Sequence, residues 1–209
     1  MTLIILIFLS FAVLHSITVS IRFKRFCRDI LGETFIRVWY RFLYNAVSTV
    51  TAALAFFLIA RVPDRILWQG PFWFRWCCHA VQLGGLVFGS RAFEHLDTGE
   101  FLGIRQVWRY VTRGEVAGNL EGLTEKELVT TGVYGIVRHP MYLAGIIIFT
   151  LEPNITRNGL TVTLLADCYF LFGAFIEERR FLRIFGDQYR EYMNRVPRLV
   201  PKLPLLRKG

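Results

Sequence analysis

Acidic residues, histidine and cysteine are scarce in this 209-residue chain. It has 16 Asp and Glu against 25 Lys and Arg, and its formal net charge is +9. The four cysteines, Cys27, Cys77, Cys78 and Cys168, show no CxxC spacing, which argues against a zinc site or a disulfide framework. Because neighbours on a helix point in different directions, we expect Cys77, Cys78 and His79 to pack and not to bind metal.

Apolar residues, by contrast, make up 54% of the chain, and the mean hydropathy is +0.40. They form long blocks separated by arginine-rich stretches. A bilayer core of about 30 Å needs roughly 20 apolar residues per helix. The pattern therefore predicts an all-α, polytopic membrane bundle of about five transmembrane helices, over residues 3–21, 42–60, 72–90, 141–151 and 160–176. The first has no positive n-region before it and no cleavage site after it, so we expect a retained helix and not a signal peptide.

Basic residues cluster in three segments, 22–41, 91–139 and 177–209, and only Arg61, Arg65, Arg75 and Arg157 lie outside them. The positive-inside rule then places the N-terminus outside and the C-terminus in the cytoplasm. Since the positive charges lie at the ends of apolar spans, we expect the lipid bilayer as partner and no nucleic acid.

We treat residues 1–209 as a single membrane domain. A three-helix bundle is expected over 1–90 and a cofactor-binding half over 91–209, with a helical hairpin and a C-terminal lid. Within that half, Ile104, Trp108 and Val111 follow helical spacing, while arginines lie four apart on another face. This predicts a short helix on the membrane surface, although a solvated arginine face gives the same pattern.

Pro140 marks a second feature, the start of the fourth span. Proline favours the first position of a helix, which would place His139 at the N-cap. The free N–H groups and dipole of such a start suit a small anion such as a carboxylate. The alternative is structural: Arg138 snorkels, His139 caps the helix, and the nearby tyrosines are interfacial aromatics.

Glu177 and Glu178 lie where the fifth span meets the cytoplasm, and two carboxylates there are costly unless solvated or paired. They could hold a cation or a hydroxyl-rich group, or arginines 179, 180 and 183 could neutralise them. Beyond them, Tyr189 and Tyr192 share one helical face, in a segment that would fold back either as a lid or as a packed tail helix.

Together these features resemble the isoprenylcysteine carboxyl methyltransferase and phospholipid methyltransferase superfamily. The pattern L-V-T-x-G-x-Y-x-x-x-R-H-P-x-Y, then E-E, F-G-x-x-Y-x-x-Y and V-P-x-x-x-P occurs in order over residues 126–201. The resemblance implies a membrane methyltransferase that uses S-adenosylmethionine (SAM). It implies SAM contacts from Lys126, Glu127, Leu128, Val129, Tyr134, His139, Pro140, Met141, Tyr142, Glu177 and Glu178.

Arg138 and Asp167 are the candidate catalytic residues. Asp167 lies in the middle of the fifth span, where an ionisable group is a functional candidate by default. It could deprotonate or orient a methyl acceptor, or it could be a neutral acid bonded to neighbouring threonines, to Tyr169 or to another helix.

The first half, with His15 and the stretch 103–106, is similar to bacterial NnrU-like proteins and methanethiol S-methyltransferases, which adds Gln106 as a candidate cofactor contact. Prenylcysteine enzymes carry an arginine at the position of Gly173, so a small thiol or a lipid is as good an acceptor here as prenylcysteine. An NnrU-like accessory role in nitrogen-oxide metabolism and an NADPH-dependent sterol or steroid reductase remain alternatives. The expected location is the bacterial inner membrane.

Overall fold

The structure, a computed structural model, describes residues 1–95, 97–116 and 128–202. These residues are mostly helical. The α-helices are α1 Thr2–Val19, α2 Ile21–Leu31, α3 Tyr40–Ala60, α4 Phe72–Ser90, α5 Thr98–Leu102, α6 Ile104–Arg113, α7 Pro140–Thr150, α8 Arg157–Phe185 and α9 Asp187–Arg195. A π-helical segment, Phe35–Trp39, leads into α3, and short 3₁₀ turns cover Arg91–His95 and Gly132–Gly135. Two short strands, β1 Ile66–Gln69 and β2 Asn154–Thr156, pair with each other.

Contacts group the chain into two compact units. The first comprises Met1–Pro63 and Leu96–Glu127, and the second comprises Asp64–His95 and Leu128–Gly209. The division at residue 90 that the sequence suggested stays a prediction.

In the first unit, α1 packs along α3. The Tyr40 hydroxyl donates a hydrogen bond to the Thr18 carbonyl, and the Tyr44 hydroxyl lies 2.8 Å from His15 Nε2. The turn between α5 and α6 needs Gly103, because its φ is +82° and any Cβ there would overlap the backbone of Phe42. The short helices therefore sit close against the start of α3.

In the second unit, α4 packs on α7 through small residues. A Cβ added at Gly89 would lie 2.6 Å from the Ala144 Cβ, and one at Gly85 would lie 2.9 Å from the Ile147 side chain. Such close approach of two helix backbones is typical of helix packing in membranes. The same holds for α7 and α8, where Gly145 faces the ring of Phe170.

The strands β1 and β2 are a feature that the sequence did not predict. The pair is antiparallel, with Trp68 opposite Ile155. It is extended by a hydrogen bond from the Gly70 N–H to the Pro153 carbonyl, at 3.1 Å. Two connections that follow different helices satisfy each other's backbone groups in this way, and no local pattern reveals such long-range pairing.

Three helical stretches in the described residues are long and apolar enough to cross a membrane: Thr2–Val19, Phe35–Ala60 and Arg157–Phe185. The helix α4 has the predicted bounds of the third span but contains Arg75, which lowers its hydropathy. The helix α7 has 11 residues and so a length of about 16 Å, about half of a hydrocarbon core. The predicted count of five spans is therefore not established.

The predicted short helix is present as α6, and Ile104, Trp108 and Val111 on it are exposed, while its position on the membrane surface stays a prediction. A second amphipathic helix, α2, was not predicted as a separate element. Its Phe26 and Ile30 are also exposed.

Candidate active site

The helix α7 begins at Pro140, with His139 at the N-cap as predicted. The His139 side chain does not cap the helix, however. Its imidazole is 3% exposed and lies between two carboxylates, with Nδ1 3.3 Å from Glu177 Oε2 and Nε2 3.3 Å from Glu178 Oε1. The start of α7 and the paired glutamates, to which the resemblance assigned one cofactor, are therefore found together, with His139 between the two carboxylates.

Glu178 is the most enclosed member of this cluster, with 3% of its surface exposed. Its Oε1 accepts hydrogen bonds from Arg138 Nε at 2.9 Å and Nη2 at 2.6 Å. Its Oε2 accepts from Arg198 Nε at 3.0 Å and Nη2 at 2.5 Å. Both oxygens are thus engaged, which is the condition under which a buried carboxylate stays charged at acceptable cost.

Arg138 also connects the cluster to the C-terminal segment. Its Nη1 donates to the carbonyls of Met193, at 3.1 Å, and Val196, at 2.5 Å. The Arg138 N–H donates to the Pro197 carbonyl at 2.9 Å. The next N–H along the chain, that of His139, donates to the Arg198 carbonyl at 3.2 Å. The residues after α9 are therefore fixed to the start of α7 by backbone as well as side-chain bonds.

Arg198 was not among the sequence candidates. Its hydrogen bonds to Glu178 raise its pKa above the usual arginine value. The V-P-x-x-x-P pattern had marked the segment, but nothing in it indicated that the arginine inside it would pair with a glutamate twenty residues earlier. That pairing depends on the fold-back of α9.

Glu177 differs from Glu178 because its side chain is 35% exposed. It contacts His139 and so keeps an accessible carboxylate beside a buried imidazole. The ring of Tyr142 stacks on His139, with centroids 5.3 Å apart and planes 5° from parallel. A Cβ built on Gly173 would lie 3.7 Å from the Tyr142 hydroxyl, so this side of the cluster is bordered by a glycine and an aromatic ring.

A core of aromatic residues supports the cluster from the tail. Tyr189, Tyr192 and Val196 are buried together, and Leu128 packs against them. The Tyr192 hydroxyl donates to the Tyr134 carbonyl at 2.6 Å. Burial, with a smaller contribution from the charge of Glu177, raises the pKa of Tyr134 to about 12.

The remaining candidates of this region are positioned as follows. Pro140 is buried. Four further candidates are half-buried: Val129, Tyr134, Met141 and Tyr142. Lys126 and Glu127 lie outside the described residues. The start of α7 and the end of α8 thus gather most of the predicted cofactor contacts in one unit.

Two candidates are not among the residues of this cluster, since one belongs to the other unit and one lies farther along α8. Gln106 belongs to the first unit, where it is 4% exposed and its Nε2 donates to the Glu100 carbonyl at 3.0 Å. Asp167 accepts a hydrogen bond from the Thr150 hydroxyl at 2.8 Å, at the end of α7 away from His139. At 1.5 Å per residue, it lies about 15 Å along α8 from Glu177.

Metal ligands do not cluster in the part of the chain that the structure describes, where no group of three or more His, Cys, Asp and Glu could hold an ion. The four cysteines are free thiols.

Comparisons with known proteins show which family this region resembles. Residues 96–188 match the model of the phospholipid methyltransferase family. Methanethiol S-methyltransferase 2 of Bradyrhizobium diazoefficiens is 29% identical over 92% of this chain and 70% of its own length. Methanethiol S-methyltransferase of Pseudomonas deceptionensis is 27% identical over 95% of this chain and 72% of its own.

A shorter match covers the C-terminal half. Protein-S-isoprenylcysteine O-methyltransferase of Schizosaccharomyces pombe is 35% identical over 37% of this chain and 34% of its own length. No solved structure matches this chain. The comparisons therefore show methyltransferase relatives over most of the chain, and residues 96–188 match the phospholipid methyltransferase family, the group that its C-terminal motifs resemble.

Proposed function

We propose that this chain is an integral membrane methyltransferase that uses SAM and methylates a small thiol. The observation that carries the proposal is the meeting of Glu177, His139 and the start of α7. An exposed carboxylate beside a helix N-terminus suits a ligand that has both a cation or hydroxyl groups and a carboxylate. SAM combines these groups in one molecule.

The two adjacent glutamates have different tasks in this proposal. Glu177 is accessible and accepts hydrogen bonds from the cofactor, while its contact with His139 fixes the position of the carboxylate. Glu178 is a positioning residue, because Arg138 and Arg198 already occupy both of its oxygens. It aligns the start of α7 and holds the C-terminal segment, which excludes water from the site.

SAM, when bound, supplies a methyl group that is already activated for in-line displacement. The protein then has to hold the acceptor in line and keep water away. A thiol acceptor must lose its proton before it attacks, because the thiolate is the nucleophile. Tyr134 holds its own proton tightly, so it serves as a hydrogen-bond donor and not as the base.

The choice of a small thiol rests on two observations. Four relatives that align over more than nine-tenths of this chain are all named methanethiol S-methyltransferases. Gly173, where the prenylcysteine enzymes carry an arginine, provides no positive charge for a prenylcysteine carboxylate. The methyltransferase relatives weigh against the reductase and accessory-factor alternatives that the sequence left open.

Glutamate substitutions test the cofactor site. Glu177→Gln should weaken SAM binding about tenfold or more, because a hydrogen bond to a charged group is worth about 1.5–3 kcal/mol. Its thermal stability should stay close to that of the parent. Glu178→Gln should lower the melting temperature, and Glu191→Gln, on the exposed side of α9, is the matched control. Calorimetry in detergent measures the binding, and parent-like affinity in Glu177→Gln would refute the site.

The reaction itself is tested by incubating the purified protein with labelled SAM and either methanethiol, a phospholipid or a prenylcysteine. Label in the volatile thioether fraction alone is the expected result. Stabilisation by NADPH in place of SAM would instead favour the reductase alternative.

The proposed topology has five spans, with α4 and α7 crossing beside the three longer helices, the N-terminus outside and the C-terminus in the cytoplasm. The membrane is the bacterial inner membrane. Single cysteines in a cysteine-free background, at Arg61 for the outside and Arg113 for the cytoplasm, test this with a membrane-impermeant thiol reagent. Labelling of position 113 in intact cells would show that the topology is the reverse of the proposed one.

A further inference from the structure

A cavity of about 180 Å³ lies in the first unit, and none of the residues that line it belongs to the candidate active site. Side chains of α1, α2, the π-helical segment and α3 line it, mostly apolar and aromatic ones. An engineered apolar cavity of about 150 Å³ holds a benzene molecule. This cavity therefore has room for a hydrocarbon segment of at least that size.

The polar groups at the wall are already bonded to the protein. The Tyr40 hydroxyl donates to the Thr18 carbonyl, and the Thr18 hydroxyl donates to the Leu14 carbonyl at 2.8 Å. The Tyr44 hydroxyl pairs with His15. Cys27 is a half-buried thiol, which packs like a small apolar side chain. The chemistry of the wall therefore suits an apolar occupant.

The mouth of the cavity lies between α2 and α3. Leu31, Leu43 and Val47 line the cavity, and yet they are 54%, 41% and 48% exposed. Leu43 and Val47 belong to the stretch Phe35–Ala60, which is long and apolar enough to cross a membrane. Exposed apolar side chains on such a helix face lipid, so the cavity opens sideways into the hydrocarbon.

Charges on α2 indicate which lipid this would be. Phe23, Cys27 and Leu31 lie four residues apart on the face that lines the cavity. On another face, Arg22 and Arg25 are exposed. A helix with one apolar face and one basic face lies at the level of the headgroups and attracts anionic lipids.

We propose that this cavity holds one acyl chain of an anionic phospholipid from the surrounding bilayer, with the lipid phosphate at the level of Arg22 and Arg25. The lipid fills the space between α2 and α3 and anchors the amphipathic helix to the membrane-spanning pair α1 and α3. This site is independent of the methyl-transfer reaction.

Native mass spectrometry of the full chain, purified in mild detergent with added phosphatidylglycerol, tests the proposal. Leu31→Trp fills the cavity, whereas Ile30→Trp places the same ring on the neighbouring exposed residue that does not line it. We expect the parent and Ile30→Trp to retain one phosphatidylglycerol and Leu31→Trp to lose at least four-fifths of it. Val47→Trp and Val50→Trp form a second matched pair on α3, should α2 misfold with a tryptophan at position 31.

The headgroup is tested separately. The double variant Arg22→Gln, Arg25→Gln should lower the preference for phosphatidylglycerol over phosphatidylcholine at least fivefold, whereas Arg113→Gln on α6 should not. Equal retention of lipid by both members of a tryptophan pair, or a parent that carries no phosphatidylglycerol, would overturn the proposal. So would a cavity-filling variant that keeps its lipid but loses affinity for a thiol substrate, because the cavity would then belong to the methyl acceptor.

Discussion

Arg138 and Glu178 are forty residues apart in sequence, and two guanidinium nitrogens of the arginine donate to the same carboxylate oxygen, Glu178 Oε1. The Arg138 and Glu178 side chains are only 7% and 4% exposed. Arg198 donates to the other oxygen, so one carboxylate joins the start of α7, the end of α8 and the segment after α9. The site therefore depends on a single buried charge whose partners come from two other parts of the chain.

Removing the positive charge of Arg138 should destabilise the protein strongly. Arg138→Gln leaves a buried carboxylate with one arginine partner, and breaking a buried pair in this way costs about 3–5 kcal/mol. Thermal unfolding in detergent, followed by circular dichroism, measures the change. Arg190→Gln breaks an exposed ion pair with Asp187 and should change the stability by less than about 0.5 kcal/mol. Equal effects of the two substitutions would show that the buried cluster contributes no more to stability than an exposed ion pair does.

Gly89 should not tolerate a methyl group. A Cβ there would lie 2.6 Å from the Ala144 Cβ, so Gly89→Ala forces α4 and α7 apart. Overpacking of this kind costs about 1–3 kcal/mol. Gly84→Ala is the control on the same helix, because no atom lies within 4 Å of its built Cβ, and it should be neutral or slightly stabilising. The melting temperatures of the two variants, measured side by side, test this difference in stability.

Stability should decrease at alkaline pH because of the tyrosines behind the site. Burial raises the pKa of Tyr134 to about 12, whereas an unfolded tyrosine has a pKa of about 10. The folded chain therefore keeps the Tyr134 proton to a higher pH than the unfolded chain does. The contribution of this difference to stability is complete below about pH 10 and is lost as the pH rises towards 12. Tyr189 and Tyr192 have raised pKa values for the same reason of burial.

Melting temperatures between pH 8 and 11.5 measure this effect. Each such tyrosine contributes a fall of up to about 1.4 kcal/mol per pH unit within that range. Tyr134→Phe removes one titrating group, and its profile should be flatter than that of the parent. An identical slope in the two proteins would mean that Tyr134 ionises normally in the folded state.

Asp167 is expected to act on the acceptor and not on the cofactor, because it lies with Thr150 at the far end of the α7 and α8 pair. Asp167→Asn should leave SAM affinity unchanged and lower kcat/KM for the thiol by about fivefold, which corresponds to one hydrogen bond of about 1 kcal/mol. Calorimetry and a methyl-transfer assay on the same sample separate the two effects. Unchanged kcat/KM would remove Asp167 from the reaction.

Local patterns predicted the helical parts of this fold well. The helix α4 has the predicted bounds, and α7 begins at Pro140, because apolar length and the stereochemistry of proline are properties of the residues themselves. The pairing of β1 with β2 was missed, since neither strand has an alternating pattern. The helix α2 was not predicted as a separate element, because its basic residues were used only to assign the membrane topology.

Local sequence patterns also failed to predict the ion pairs of the site. Arg179, Arg180 and Arg183 were the nearest candidates to neutralise the two glutamates, but the arginines that pair with Glu178 are Arg138 and Arg198. Arg179 instead lies over the ring of Phe175, 4.3 Å from its centroid. Residues adjacent on a helix point in different directions, so sequence proximity did not identify the partner that the fold brings close.

The bonds from residues 197 and 198 back to the loop before α7 also constrain when the protein becomes functional during its synthesis. All the long apolar helices precede these residues, so the helices can enter the bilayer while the tail is still being translated. Until Arg198 has been synthesised, one oxygen of Glu178 lacks its partner and the loop at His139 lacks two backbone acceptors. A nascent chain that stalls before this point would be inserted in the membrane yet unable to assemble its site.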